Sequence, residues 1–133
     1  MDFTFNEQIS YWESPAKVMD LDINLRIIEG YAESELEPIA RKTIAKVEDG
    51  WAKIQKNIGD SLLDMYNETW CDPEEGLPQL SREDFLGKIS LNWIDVMEDD
   101  SLSLYFNDAD MFGGHVIDVF WTPEKMYDAA IAG

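Results

Sequence analysis

Nine apolar residues recur at helical spacing over about thirty positions of this chain. Leu36, Ala40, Ile44, Val47, Trp51, Ile54, Ile58, Leu62 and Met65 follow one another at steps of three or four, which lays one unbroken apolar stripe along a helix. A stripe that long needs a broad apolar surface to lie on. Ser34 with Glu37 three residues later reads as a capping box, and Pro38 falls in the first turn, where a missing N–H costs little. Gly50 and Gly59 each cost roughly 1 kcal/mol relative to alanine, and a kink at Asp49-Gly50 is open to the chain, but the phase of the stripe survives both glycines. One long helix over about 35–69 is expected.

On either side of this helix the apolar period is two. Phe3 and Phe5 alternate with polar neighbours, Ile9, Tyr11 and Trp12 follow, and Ser14-Pro15 reads as a turn. Ile23, Leu25 and Ile27 then form a half-buried strand that closes at Gly30. After a loop from Asp72-Pro73 to Pro78, Ser81 and Asp84 make a second capping box, with Leu80 and Phe85 placed as a hydrophobic staple. Three strands follow, around Ile94 and Val96, around Leu102, Leu104 and Phe106, and around Ile117, Val119 and Trp121. A last short strand is expected from Met126 to Ile131. The order β-β-α-α-β-β-β-β gives a single α+β domain over 1–133: an antiparallel sheet of about five to six strands with one long helix packed on one face.

Charge bears on function rather than fold. Twenty-eight acidic residues stand against ten Lys and Arg, a net charge of −18 on 133 residues. Five of the ten cations lie within residues 41–56 (Arg41, Lys42, Lys46, Lys53 and Lys56), whereas residues 57–133 carry seventeen acids against Arg82, Lys88 and Lys125. Solubility needs far less charge, and self-repulsion of this size opposes compaction. Direct binding to nucleic acid is disfavoured, because phosphates need a basic stripe, and an anionic membrane surface is disfavoured for the same reason. No apolar run is long enough to span a bilayer, and the N-terminus lacks the pattern of a signal peptide. With the lone thiol of Cys71, this fits a cytoplasmic protein.

Several stretches resemble a bacterial family catalogued as domain of unknown function 2262. They are the aromatic strand ending at Tyr11-Trp12, the helix end from Leu62 to Trp70, the run from Leu80 to Phe85, Leu104 to Asp108, Phe112 to Ile117, and the terminal Ala130 to Gly133. The resemblance spans nearly the whole chain and implies an α+β fold. It implies no chemistry. By context it is similar to the small, fast-diverging proteins that accompany bacterial toxins as immunity partners.

No reaction emerges from the motifs. His115 is the only histidine and Cys71 the only cysteine, too few for a transition-metal site, and no cofactor is implied. Beside Gly113-Gly114, His115 reads as a residue bonding backbone groups across a tight turn. As a calcium loop, the Asp108-Ala109-Asp110 run fails at the ligand positions occupied by Phe112 and Val119. Asp72, Glu74 and Glu75 would raise rather than lower the pKa of Cys71. There is no nucleophile elbow and no phosphate-cradling glycine loop, and paired carboxylates of the glycosidase kind carry little weight in so small and acidic a chain.

The remaining signal is charge set against local preference. Asp60, Asp64 and Glu68 repeat at four-residue spacing at the negative end of the helix. Glu98-Asp99-Asp100 and Asp108 with Asp110 add acidic tips between strands, and Tyr66 and Trp70 stand beside the helical acids. A solvated acidic face accounts for the pattern as simply as a partner does. The functional expectation is a non-enzymatic immunity or inhibitor protein that occludes the cationic groove of a basic toxin domain, a nuclease being the natural class. Its contacts would come from those eight acids with Tyr66 and Trp70. Two alternatives stand beside it: a small enzyme centred on His115 with nearby carboxylates, and an acidic nucleic-acid mimic or adaptor.

Overall fold

A computed structural model describes residues 1–132; Gly133, the last residue of the terminal stretch used above, lies outside the described residues. Seven strands form one sheet in chain order: β1 (Thr4–Asn6), β2 (Tyr11–Val18), β3 (Leu21–Ile28), β4 (Ser90–Val96), β5 (Leu102–Asn107), β6 (Val116–Trp121) and β7 (Ala130–Ala132). Between β3 and β4 come α1 (Glu33–Asp49), α2 (Trp51–Met65), a π-helical turn (Tyr66–Trp70) and the short α3 (Arg82–Lys88). The α+β class agrees with the sequence pattern. The fully antiparallel sheet does not, because β3 and β4 pair in parallel while every other neighbouring pair is antiparallel. The reason lies in the connection: residues 29–89 carry the chain through three helices and return it to the end of the sheet from which β3 began.

The expected turn at Ser14-Pro15 is also corrected. β2 runs straight through it, and the hairpin closes instead at Met19-Asp20, both in the left-handed region (φ 51° and 63°). Proline is tolerated because β1 pairs only with Tyr11–Glu13. Pro15 therefore stands on a stretch of β2 with a single neighbour, where a missing N–H breaks no second ladder.

The single long helix is in fact two, meeting at Gly50 (φ −94°, ψ 9°). Backbone bonds continue across the junction, from Gly50 N–H to Lys46 O (3.0 Å) and from Ile54 N–H to Gly50 O (2.9 Å). The stripe thus keeps its phase: Leu36, Ala40, Val47, Ile54, Ile58 and Leu62 are all buried. What sits at the bend is an indole, since a Cβ on Gly50 would lie 2.6 Å from Cη2 of Trp121 on β6. Met65 ends the stripe exposed, and Tyr66 takes its place in the core. The N-terminal cap differs as well. The helix begins after Ala32, whose N–H donates to the Glu35 carboxylate (2.9 Å), while Glu37 accepts from the chain's amino terminus (2.9 Å). At α3 the expected cap forms, with Asp84 N–H donating to Ser81 Oγ (3.2 Å).

All the helices lie on one face of the sheet. Ile23, Leu25 and Ile27 of β3, Ile94 and Val96 of β4, Leu102, Leu104 and Phe106 of β5 and Ile117 and Val119 of β6 meet the helical stripe in one core. Because side chains alternate along a strand, the residues between these point to the other face. Among the described residues no helix packs there.

Candidate binding surface

Register places two rows of unusual composition on that open face. One row runs Glu13, Arg26, Asp95, Ser103, Phe120 across β2 to β6. The next runs Asn24, Trp93, Tyr105, Asp118 across β3 to β6. Arg26 donates to both oxygens of Asp95, at 2.5 Å from Nε and 2.7 Å from Nη2. Its guanidinium also lies against the rings of Tyr11 (5.5 Å) and Trp93 (5.3 Å). Trp93 in turn stacks on Tyr105 with centroids 4.6 Å apart. These large side chains bury Asp95 and Ser103 beneath them although no second layer covers the sheet.

The electrostatics of the patch follow from this partial desolvation. Asp95 holds the Arg26 guanidinium charged by hydrogen bonding, against the opposing effect of burial. Burial pushes the Asp118 carboxyl above its ordinary range, and the Asp95 charge adds to the effect. The Tyr105 phenol is raised chiefly by burial, with Asp118 and Asp95 adding to it and the Ser103 hydroxyl working partly against it. Trp93 Nε1 and Asp118 Oδ1 are buried without a hydrogen-bond partner. An aromatic and arginine centre of this kind is the composition that protein interfaces concentrate at their energetic core.

The acids singled out from the sequence do not share one surface. Glu98, Asp99 and Asp100 form an exposed turn between β4 and β5, while Asp108 and Asp110 lie in the loop between β5 and β6. These loops stand at opposite ends of β5, roughly 20 Å apart for six extended residues. Trp70 packs on Phe112 and His115, which brings the Glu68–Trp70 turn to the second of the two poles. Asp64 and Glu68 are exposed, but the π-helical turn between them breaks their helical spacing. Asp60 is engaged by Lys56 (2.6 Å) and Arg82 (2.7 Å), which together hold its carboxyl below the usual range.

Two of the expected contacts are corrected outright. Asp108 is buried, and its carboxylate accepts from the backbone N–H groups of Asp110 (2.9 Å), Phe112 (3.0 Å) and Gly114 (3.1 Å). It organises the loop and is not available to a partner. Tyr66 is a core residue whose hydroxyl donates to Pro78 O (2.8 Å). Turn chemistry explains part of the acidity at the tips too. Asp99, Asp100 and Asp110 all have positive φ, which aspartate tolerates better than most residues. His115 donates from its ring Nδ1 to the carbonyl of Phe112 and stacks edge-on with Trp70, so that ring nitrogen is already engaged.

Against this geometry, one family model, described as an uncharacterised protein conserved in bacteria, matches residues 1–130. The chain belongs to the DUF2262 family. No curated protein and no solved structure matches it. Within this DUF2262 domain no group of three or more His, Cys, Asp or Glu side chains is arranged to hold a metal ion, and no helix is long and apolar enough to cross a membrane, among the described residues. The open sheet face was missed in the sequence because Trp93, Asp95, Tyr105 and Asp118 read individually as the outer residues of half-buried strands. The signal that could have found them is that all four of these outer positions near the sheet centre are large or charged rather than small and polar.

Proposed function

We propose that this DUF2262 domain is a non-enzymatic binding protein for a basic protein partner, of the immunity or inhibitor kind, with a toxin domain such as a nuclease as the class of target. The observation that carries this reading is that most of its acidic charge is not paired internally. Of twenty-eight acidic side chains, Asp22, Glu37, Asp60, Asp95 and Asp100 form the ion pairs among the described residues. Most of the rest are exposed to solvent, leaving a strong negative field that would draw in a cationic surface and raise its encounter rate. The open sheet face supplies what charge alone lacks, an aromatic centre on which arginine and lysine side chains can lie. In this reading Trp93, Tyr105 and Tyr11 anchor the partner, and the Glu98–Asp100 turn and the Glu68–Asp110 pole steer it. Occlusion of a groove that otherwise binds phosphates would then inhibit the target.

The test is a pull-down with the product of the neighbouring gene, eluted across a salt gradient, followed by kinetics with two variants. Neutralising Glu68, Glu98, Asp99 and Asp110 together is expected to slow association about tenfold and flatten its salt dependence, whereas Trp93→Ala is expected to speed dissociation. An interaction unchanged by both variants sinks the reading.

A further inference from the structure

Two lysines of the cationic run that the acidic reading leaves unused, Lys42 and Lys46, line a cavity. An apolar pocket of about 400 Å³ opens between α1 and the sheet where β4 gives way to β5. Its floor is Val96 and Leu102, paired across the two strands, and Ile39 and Pro123 form apolar walls. Lys42 and Lys46, one helical turn apart on α1, stand at the mouth. Lys46 has no carboxylate within 4.0 Å among the described residues; its ammonium rests over the Trp121 ring, 4.6 Å from the centroid. Lys42 reaches Asp100 only at 4.0 Å, with both side chains largely exposed, a pair worth little.

We infer that this pocket binds a small amphipathic carboxylate, its apolar body against Val96, Leu102 and Ile39 and its carboxylate between Lys42 and Lys46. The volume falls within the range of small-molecule sites, which are mostly apolar with a few polar groups that fix orientation. Thr43, buried on the pocket side of α1, adds a hydroxyl within the apolar wall. The sign of the charge is the telling part. In a protein of net charge −18, a neutral or cationic apolar ligand needs no lysine pair at the mouth, and the long-range field opposes an anion, so an anion is held only where local cations outweigh that field. Asp100 is the one carboxylate at the rim, and it competes with the ligand for Lys42.

The experiment is calorimetric titration of the full chain with decanoate below its micellar concentration, beside decyltrimethylammonium as the matched cation. Decanoate is expected to bind at least tenfold more tightly than the cationic probe. The Lys42→Gln/Lys46→Gln double variant should lose at least tenfold in decanoate affinity with its thermal unfolding midpoint unchanged, and Asp100→Asn should gain several-fold. Equal binding of the two probes, no binding of decanoate, or a double variant that binds like the parent overturns the inference.

Discussion

Arg26 and Asp95 face each other across the parallel pairing of β3 with β4, and the guanidinium clasps the carboxylate through two hydrogen bonds. The Asp95 side chain is only 8% exposed, so removing its partner strands a charge that water barely reaches. Arg26→Met is therefore expected to cost about 3 kcal/mol in urea unfolding, and Arg26→Met combined with Asp95→Leu to recover most of that loss. A single variant as stable as the parent would show that the pair serves the surface and not the fold.

Gly50 and Gly59 both fall within the helical stretch that carries the apolar stripe but are expected to respond oppositely to alanine. Helix propensity favours alanine by roughly 1 kcal/mol at Gly59, inside α2, whereas Gly50 sits at the junction of α1 and α2 with non-helical dihedrals. At Gly50 the new methyl meets the half-buried Trp121 indole, whose face Lys46 covers. Gly50→Ala should lose about 1–3 kcal/mol net. At Gly59 the obstacle is the guanidinium end of Arg82, a flexible side chain about half exposed. Gly59→Ala should be neutral or gain up to about 1 kcal/mol. Thermal unfolding of the two variants side by side reads the difference, and a stabilised Gly50→Ala would mean that the indole moves aside.

Asp118 gives the patch a pH signature. Its folded carboxyl is raised by burial and by Asp95, so over the pH range just above the ordinary aspartate value the folded chain holds a proton that the unfolded chain has released. Its effect on stability is therefore unfavourable as pH rises through that window, and absent below it. Asp118→Asn is expected to raise the unfolding midpoint at neutral pH and to leave it unchanged near pH 3. Equal gains at both values would assign the effect to packing.

The loop after β5 depends on one carboxylate. Asp108→Ala leaves three backbone N–H groups without their acceptor and should cost about 3 kcal/mol, while Asp108→Asn, which keeps one oxygen, should cost about half as much. Hydrogen exchange at Phe112 and Gly114 would report the loss locally.

These residues also show where sequence stops being informative. The stripe from Leu36 to Leu62 reads correctly as a buried helical face because its cause, the 3.6-residue period, is local. Ser81 caps α3 for an equally local reason. Gly50 marks in the sequence where a kink is open to the chain, but the indole of Trp121 that packs there comes from seventy-one residues away, and no pattern near Asp49 announces it. Pro15 reads as a turn because the sequence does not say that β1 ends before reaching it. Asp108 looks identical to Asp110 in sequence, yet one is buried under its own loop and the other is exposed. The open-face cluster needs register across five strands, and register becomes visible only when the strands are paired.

The pairing of β3 with β4 also sets the order in which this chain can assemble. The β2–β3 hairpin and the β4–β5–β6 meander close through local connections of two to eight residues, and α1 and α2 need only neighbours in sequence to start. Joining the two sheet halves must wait until residues 29–89 have been gathered into a compact crossover, the costliest loop closure in the molecule. Folding speed should therefore follow substitutions along that seam and in the crossover helices, while changes in the outer strands β1 and β7 should alter mainly how fast the finished protein comes apart.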